Sequence, residues 1–380
     1  MWFDKNNKEK QCTQLATAVR DTQYASAPTM ELAFNPATGQ FEQVPAGSAS
    51  SGEIVTEMTK DGFAARKDRV YITKEDLHSR SHSLLETDIL SKKHVVIIGL
   101  GSFGSQIAVE LAKAGVGRFS LIDFDIVELH NLGRHIAYLK DVGELKTDVV
   151  GEAILGKNPF AKIQKYAVDI SDEPIAADAA MTTADLVICA TDNNRSRFVV
   201  SEIARRNGKP VIFGRAFTRA EGGDVFIYRP GGPCYNCLVG AMGSATEEIT
   251  DREKSLANGT IPAYTSPEDA DAMVQVGLSV DIAPICNLME KLALVELSRG
   301  LDSGISSLED EFVYEYYIWA NRRDRKFSNW AAMPGAGANP TIMRWYGSHI
   351  GKVEGCPICS DNVKVALDEG EEVEEMLNKL

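Results

Sequence analysis

The chain has 380 residues, of which 44% are hydrophobic and 25% charged, a composition typical of a globular protein. Its formal net charge of −14 argues against a nucleic-acid partner, because an acidic surface repels a phosphate backbone. No apolar run reaches the roughly 20 residues of a membrane span, and no N-terminal stretch resembles a signal peptide. We therefore expect a cytoplasmic protein with no membrane partner, in which seven cysteines favour metal binding over disulfides.

The N-terminal part differs in composition from the rest. It is rich in Thr, Ala, Ser and Gly, and residues 46–52 (AGSASSG) are typical of a flexible connector. Residues 30–44 alternate weakly around a turn signal, which indicates a hairpin or a partner-binding strand. We expect an N-terminal extension over 1–70, a main domain over 71–362 and an acidic tail over 363–380.

Short apolar runs alternate with a helical pattern after this extension. The strand HVVIIGL is followed by a glycine turn, the helix GSQIAVELAKAG and the strand RFSLIDFD, and further strands follow in KIQKYAVDI, ADLVICAT and GKPVIFGRA. Unbroken apolar strands of this kind predict a Rossmann-like α/β fold, a parallel sheet with helices on both faces. The segments DVFIYRP and EFVYEYYIWANR predict added β-strands that close one side of the sheet.

The glycine turn GLGSFG (99–104) stands where a nucleotide-binding fold places phosphate. Gly99 permits the tight turn, Gly101 lets the backbone approach phosphate, and Gly104 allows close helix packing. Asp123 ends the second strand, where a carboxylate holds a ribose hydroxyl. The alternative is an ordinary tight turn, and the motif alone does not distinguish ATP from NAD.

Two cations follow the second strand. Asn131, Arg134 and Lys146 lie just beyond it, and an enzyme that cleaves ATP between the α- and β-phosphates needs cations to stabilise the departing pyrophosphate. Because the whole chain is acidic, we expect such a site to be locally basic. The alternative is a pair of solvated surface cations.

A carboxylate, Asp192, follows the strand ADLVICA. The carboxyl ends of parallel strands bind ligands, and Mg²⁺ prefers one or two carboxylates together with phosphate oxygens. The alternative role for Asp192 is an N-cap for the helix that begins near Asn194.

Two CxxC pairs predict a metal site. Cys234 and Cys237 form the first pair, and Cys356 and Cys359 form the second. Together they offer the four thiolates of a structural zinc site, which has no open position for a catalytic water. A redox pair or spare thiols are the alternatives.

These motifs together resemble the ubiquitin-activating enzyme family, in particular the small ThiF/MoeB-type adenylyltransferases of molybdopterin and thiamine sulfur-carrier proteins. The resemblance covers about residues 76–360 and rests on GLGSFG, DFDIVELHNLGRH, ATDNNRSR, EGGDVFIYRPGGPCYNC and GCPIC. It implies that ATP is used to adenylate the C-terminal glycine carboxylate of a small ubiquitin-like protein, with release of pyrophosphate.

The resemblance also implies roles for single residues. Asp123 would hold ribose, Asp192 would bind magnesium, and Asn131, Arg134 and Lys146 would contact phosphate. Ser102 replaces the second glycine of the usual turn and keeps a hydroxyl near phosphate. Arg80, in HSRSH, resembles an arginine that reaches into a dimer partner's ATP site, so we expect a homodimer.

The chain departs from the thioester-forming members of the family. It has no cysteine between Leu238 and Ile285, and Cys286 lies at helical spacing among apolar residues, which predicts a core thiol. Cys189 lies in a buried strand and Cys12 in the extension. We therefore expect the adenylate to pass to a cysteine on another protein.

Three other functions are compatible with parts of the sequence. One is adenylation of a short ribosomal peptide, with residues 1–70 as a clamp. Another is an inactive scaffold subunit of a heterodimer, which retention of the phosphate cations disfavours. The last is an NAD-dependent oxidoreductase, which the four cysteines and the cations disfavour.

Overall fold

A computed structural model describes residues 84–217, 220–242, 277–322 and 341–359, the short pieces 77–78 and 80–81, and the backbone of five strands between 30 and 71. The chain divides into two units. The first comprises Met1–Ser83 with Asn158–Phe160, and the second comprises Leu84–Lys157 with Ala161–Leu380.

The first unit contains short antiparallel strands. Its strands are β1 (Met30–Asn35), β2 (Gln40–Pro45), β3 (Val55–Thr59), β4 (Gly62–Arg66) and β5 (Val70–Tyr71). β1 pairs with β2 and β5, while β3 pairs with β4. The predicted hairpin over 30–44 is confirmed.

The second unit is built on an eight-stranded sheet. Its strands are β6 (His94–Ile98), β7 (Arg118–Ile122), β8 (Lys162–Tyr166), β9 (Leu186–Cys189), β10 (Val211–Ala216), β11 (Gly222–Tyr228), β12 (Tyr316–Ala320) and β13 (Arg344–Ser348). Their order is β13-β12-β11-β10-β9-β6-β7-β8. The strands from β6 to β10 run parallel, and β11, β12 and β13 continue the sheet in antiparallel pairing. The predicted parallel sheet and the added strands β11 and β12 are confirmed, whereas β13 was not predicted.

Helices connect these strands. They are α1 (Thr87–Leu90), α2 (Ser102–Lys113), α3 (Lys146–Leu155), α4 (Pro174–Thr182), α5 (Asn194–Arg206), α6 (Tyr235–Met242) and α7 (Ser279–Ser298). Short 3₁₀ turns cover Leu129–Gly133, Leu139–Asp141 and Ser306–Glu309. Among the helices of these described segments, none has the length and apolarity needed to cross a membrane.

Two hydrophobic cores lie on opposite faces of the sheet, because successive strand side chains point to opposite sides. In β6, Val95 and Ile97 belong to one core, whereas Val96 and Ile98 belong to the other. The first core includes side chains of α2, α3 and α7, and the second includes side chains of α4, α5 and α6. The sheet is therefore covered on both faces, as the apolar strands predicted.

Candidate functional site

Strand register brings three of the sequence motifs to one edge of the sheet. Ile98 of β6 is in register with Ile122 of β7 on one side and with Cys189 of β9 on the other. The glycine turn, Asp123 and the segment leading to Asp192 each follow one of these strands. The carboxyl ends of parallel strands therefore gather residues that are far apart in sequence.

The glycine turn has different steric demands at its three glycines. Gly99 has a φ of +82°, and a Cβ there would lie 2.8 Å from the carbonyl carbon and oxygen of Ala190. A Cβ on Gly104 would lie 1.9 Å from the carbonyl oxygen of Gly99, so only glycine lets α2 pack this close. A Cβ on Gly101 would meet no atom of the described residues within 4 Å. Gly99 and Gly104 are therefore required by the fold, while a side chain at Gly101 would meet no described neighbour.

The peptide units of Leu100 are held from two sides. Its N–H donates to Asp123 Oδ2 at 2.6 Å, and its carbonyl oxygen lies 2.8 Å from His135 Nε2. The N–H of Ala137 donates to His135 Nδ1 at 3.0 Å, so we assign the proton of the neutral ring to Nε2, which donates to Leu100. Burial lowers the pKa of His135 and favours this neutral form, and the nearby Lys146 lowers it further.

Asp123 is a buried carboxylate with a structural role. Besides the N–H of Leu100, it accepts the N–H of Asp125 at 2.8 Å. Burial raises the pKa of Asp123, and the positive charge of Lys146 acts in the opposite direction. A carboxylate has about four acceptor positions, so Asp123 can bind a further hydroxyl while it keeps both backbone contacts.

Lys146 begins α3 and points into the same site. Its side chain is only 10% exposed, and its Nζ lies 2.6 Å from Asp125 Oδ2. Its backbone N–H also donates to the carbonyl oxygen of Asp125 at 3.0 Å. The alternative of a solvated surface cation is therefore wrong for Lys146. An ammonium has three donors, so it can pair with Asp125 and still bind an anion.

Asn131 and Arg134 lie in and just after the 3₁₀ turn that follows β7. Asn131 Oδ1 accepts the N–H of Glu128 at 3.0 Å, which closes the turn. Arg134 is half-buried, and its carbonyl oxygen accepts a hydrogen bond from Gln106 Nε2 of α2 at 3.2 Å. The turn is thus docked on the helix that follows the glycine turn. Ser102, the first residue of α2, is half-buried.

The turn before α5 leaves the carboxylate of Asp192 exposed. Asn193 caps the helix, since its Oδ1 accepts the N–H of Ser196 at 2.9 Å. The alternative that Asp192 caps this helix is therefore wrong. Asp192 instead accepts a hydrogen bond from Asn193 Nδ2 at 3.3 Å, and the backbone just before it packs against Gly99.

The four predicted cysteines come together in a second site. The Sγ atom of Cys234 lies 3.8 Å from that of Cys237 and 3.7 Å from that of Cys356, and Cys237 Sγ lies 3.4 Å from Cys359 Sγ. All four Sγ atoms lie within 4.8 Å of one another. A tetrahedral ion with metal–sulfur bonds of about 2.3 Å separates its ligands by about 3.8 Å. The cluster therefore has the dimensions of a four-thiolate metal site.

Backbone and side-chain N–H groups donate to these sulfurs. Asn236 Nδ2 lies 3.4 Å from Cys356 Sγ, and the N–H of Val353 lies 3.4 Å from Cys237 Sγ. Such hydrogen bonds orient thiolate ligands and offset their negative charge.

Other parts of the predicted site have different outcomes. Cys189 and Cys286 are buried in the two cores, as predicted, and burial raises the pKa of both thiols. Arg80 is exposed and belongs to the first unit. Cys12, residues 243–276 of the cysteine-free stretch before Ile285, and the tail 363–380 lie outside the described residues.

Sequence reasoning missed three residues at the edge of the sheet where the glycine turn, Asp123 and Asp192 meet. Asp125 holds Lys146, His135 holds Leu100, and Asn193 caps α5. The signal for Asp125 was its position two residues after Asp123, which repeats a carboxylate at the end of the same strand. His135 and Asn193 contact backbone atoms of Leu100 and Ser196, and no local sequence pattern indicates these partners.

Comparisons with known proteins agree on the family. Residues 77–329 match the model of the ThiF family, which is more than half of the chain. A sulfur carrier protein adenylyltransferase from Thermus thermophilus is 32% identical over 179 residues, covering 44% of this chain and 65% of that protein. The adenylyltransferase and sulfurtransferase MOCS3-1 from Zea mays is 31% identical over 270 residues, covering 66% of this chain and 56% of that protein. The chain thus spans less than two thirds of either relative.

A solved structure shows the same fold. The crystal structure of MccB from E. coli has a TM-score of 0.51 and 19% sequence identity, and the match covers 75% of this chain and 69% of that one. At this identity the likeness concerns the fold alone. From the family match, together with the glycine turn and the shared strand edge, we conclude that the chain belongs to the ThiF family.

Proposed function

We propose that this chain adenylates the C-terminal glycine carboxylate of a small ubiquitin-like or sulfur-carrier protein. The observation that carries the proposal is the meeting of the glycine turn, Asp123, Lys146 and the Asp192 turn at one edge of the sheet. The names of the two adenylyltransferase relatives support it.

In the proposed reaction, a carboxylate oxygen of the carrier attacks the α-phosphorus of ATP. A phosphorus–oxygen bond to the acyl group forms, and the bond to the bridging α–β oxygen breaks. Its electron pair leaves with pyrophosphate. A carboxylate is already ionised at pH 7, so this step needs no general base, and the enzyme contributes positioning and charge neutralisation.

The site residues would divide this work. Gly99, Gly101, Ser102 and Gly104 would cradle phosphate at the start of α2, and Asp123 would hold ribose. Lys146, Arg134 and Asn131 would contact the phosphates, where negative charge grows as pyrophosphate departs.

Asp192 fits a magnesium ligand. Its carboxylate is exposed and is not used as a helix cap, and it follows the strand next to the glycine turn. A bound Mg²⁺ would neutralise phosphate charge and orient the phosphates. Because Asp123, Asp125 and Asp192 outnumber Lys146 and Arg134, we expect ATP binding to depend strongly on a divalent cation.

The cysteine cluster would hold a structural zinc ion. Cys234, Cys237, Cys356 and Cys359 fill all four positions of a tetrahedral site, so no position remains for water or substrate. Its role would be to join α6 to the segment that follows β13.

The fate of the adenylate would lie outside this chain. Cys189 and Cys286 are buried, and burial disfavours their thiolate forms, so neither suits a nucleophile. We expect a cysteine on a downstream acceptor protein to take the activated carboxylate. A homodimer in which Arg80 reaches the partner's site is part of the same proposal.

Exchange of pyrophosphate into ATP tests the substrate class. Purified protein is incubated with Mg·ATP, labelled pyrophosphate and a carrier protein that ends in glycine. Exchange should require the free carboxylate, so a carrier with an amidated C-terminus should give none. Exchange with a short peptide but with no carrier would instead support the peptide substrate. ATP binding without pyrophosphate exchange, whether a carrier protein or a short peptide is added, would support the alternative of an inactive scaffold subunit.

A further inference from the structure

Tyr235 connects the cysteine cluster to the turn that carries Asp192. It lies between the ligand-type residues Cys234 and Cys237 at the start of α6, and its side chain is 2% exposed. The ring packs against Phe198 and Phe213, with centroids 5.4 and 4.9 Å away. The ring is therefore held in one place by close contacts on α5 and β10.

The polar atoms of Tyr235 bind α5 at two points. Its hydroxyl donates to Asn194 Oδ1 at 2.8 Å, and its backbone N–H donates to Ser201 Oγ at 3.3 Å. Asn194 is the first residue of α5, and Asp192 is two residues before it. The hydroxyl thus reaches the start of the helix from an element 41 residues farther along the chain.

The same asparagine oxygen belongs to a network around the turn. Arg197 Nη1 donates to Asn194 Oδ1 at 3.2 Å, while Arg197 Nη2 donates to the carbonyl oxygen of Thr191 at 2.6 Å. Ser196 Oγ donates to Thr191 Oγ1 at 2.6 Å. Thr191 directly precedes Asp192, so these contacts fix the backbone on one side of Asp192, and Asn194 fixes it on the other.

We propose that Tyr235 is a positioning residue for Asp192: its hydroxyl ties the turn at the start of α5 to the four-cysteine cluster and so orders the carboxylate. The proposal rests on the proposed function, since it assigns Asp192 to Mg·ATP. A turn that is already ordered loses less conformational entropy when its carboxylate binds an ion. Without the hydroxyl, Asn194 Oδ1 loses one of its hydrogen-bond donors.

Tyr235→Phe is the direct test, because it removes the hydroxyl and keeps the ring. Tyr316→Phe is the matched control: Tyr316 is equally buried, and its hydroxyl donates to Asp224 Oδ2 at 2.7 Å. Both variants lose one hydrogen bond of a buried tyrosine, but only the first loses one at the Asp192 turn.

Two measurements on the full chain separate positioning from stability. The first is hydrogen–deuterium exchange of the peptide that covers residues 190–197, without nucleotide. The second is the Mg²⁺ concentration that gives half-maximal ATP binding, by calorimetry. For Tyr235→Phe we expect faster exchange in that peptide and about a fivefold higher Mg²⁺ requirement, the effect of one hydrogen bond. Zinc content should be unchanged in both variants, and Tyr316→Phe should match the wild type in both measurements.

Each outcome decides a different claim. The positioning role would be overturned if Tyr235→Phe left both the hydrogen–deuterium exchange of residues 190–197 and the Mg²⁺ requirement unchanged. It would also be overturned if Tyr316→Phe changed both quantities as much as Tyr235→Phe does. If the wild type binds no ATP, the proposed function fails, and unchanged hydrogen exchange in Tyr235→Phe would then also refute the ordering of the turn.

Discussion

Leu100 shows how single residues fix the backbone of the glycine turn. Asp123 accepts its N–H and His135 donates to its carbonyl oxygen, so the backbone between Gly99 and Gly101 is fixed on both sides. A turn that is held in this way would lose little entropy on binding the phosphate of the proposed function. The contacts of Asp123 and His135 thus serve the site even though both residues are buried.

Alanine substitutions at two glycines of this turn should have different effects: Gly104→Ala should lower stability, and Gly101→Ala should lower ATP affinity. In Gly104→Ala, the new Cβ would lie 1.9 Å from the carbonyl oxygen of Gly99, so α2 must move, and we expect a loss of about 1–3 kcal/mol of stability or more. In Gly101→Ala, the new Cβ meets no atom of the described part of the chain within 4 Å, so thermal stability should be nearly unchanged while ATP affinity falls about tenfold or more. Thermal melting and calorimetric ATP titration measure the two effects. Normal ATP affinity in Gly101→Ala would show that phosphate does not approach this glycine.

His135 predicts a dependence of stability on pH. Burial lowers the pKa of His135 in the folded protein below 6.5, while the unfolded chain keeps an ordinary value. As the pH falls through 6.5, the unfolded state binds a proton that the folded state does not, so the free energy of unfolding falls by up to about 1.4 kcal/mol per pH unit. Burial also lowers the pKa of His94, which therefore adds to the loss of stability at low pH.

The variant His135→Gln separates the contribution of His135 to the pH dependence of stability from that of His94. Glutamine can donate to Leu100 and accept from Ala137 without titrating. We expect the variant to lose less stability than the wild type between pH 7 and pH 5, as measured by urea unfolding. Parallel curves for the two proteins would mean that His135 does not contribute.

The sequence predicted the positions of residues where a motif fixes the spacing, and it failed where a side chain contacts distant backbone. Gly99, Gly104 and Asp123 could be placed because a strand, a turn and a helix follow one another without a break. The contact of His135 with Leu100 depends on how the 3₁₀ turn docks on α2, which no local pattern encodes.

At the scale of elements, the cysteine cluster joins two parts of the chain that are distant in sequence. Cys234 and Cys237 flank the start of α6, while Cys356 and Cys359 follow β13. The two CxxC spacings predicted this meeting, because each pair supplies half of a tetrahedral site. β13 itself was missed, since RWYGS is short, outermost in the sheet and lacks an apolar alternation.

Zinc content tests the cluster. We expect one zinc ion per chain, and Cys356→Ser should lose it and reduce the free energy of unfolding by more than about 2 kcal/mol. Cys286→Ala is the control, because Cys286 is equally buried but lies in α7, away from the cluster. Atomic absorption and urea unfolding give both quantities. A full zinc content in Cys356→Ser would refute the four-cysteine site.

For the whole molecule, the sequence predicted the doubly covered parallel sheet because its strands are apolar throughout, and both cores confirm it. The expectation of a locally basic site was too simple. Lys146 is paired with Asp125, and Asp123 and Asp192 lie at the same edge. This balance of charge arises from tertiary contacts, so composition could not reveal it. It also makes the divalent cation central to the proposed chemistry.

The most direct test of the central claim is ATP–pyrophosphate exchange with a glycine-ended carrier, comparing the wild type with Asp192→Ala. Asp302→Ala serves as the control, because Asp302 is also exposed but follows α7. We predict that the wild type and the control exchange pyrophosphate only when carrier and Mg²⁺ are both present, and that Asp192→Ala loses exchange at least about a hundredfold while its thermal stability is retained. Exchange in Asp192→Ala at the wild-type rate would contradict the assignment of Asp192. No exchange by the wild type with any carrier would contradict the adenylation reaction itself.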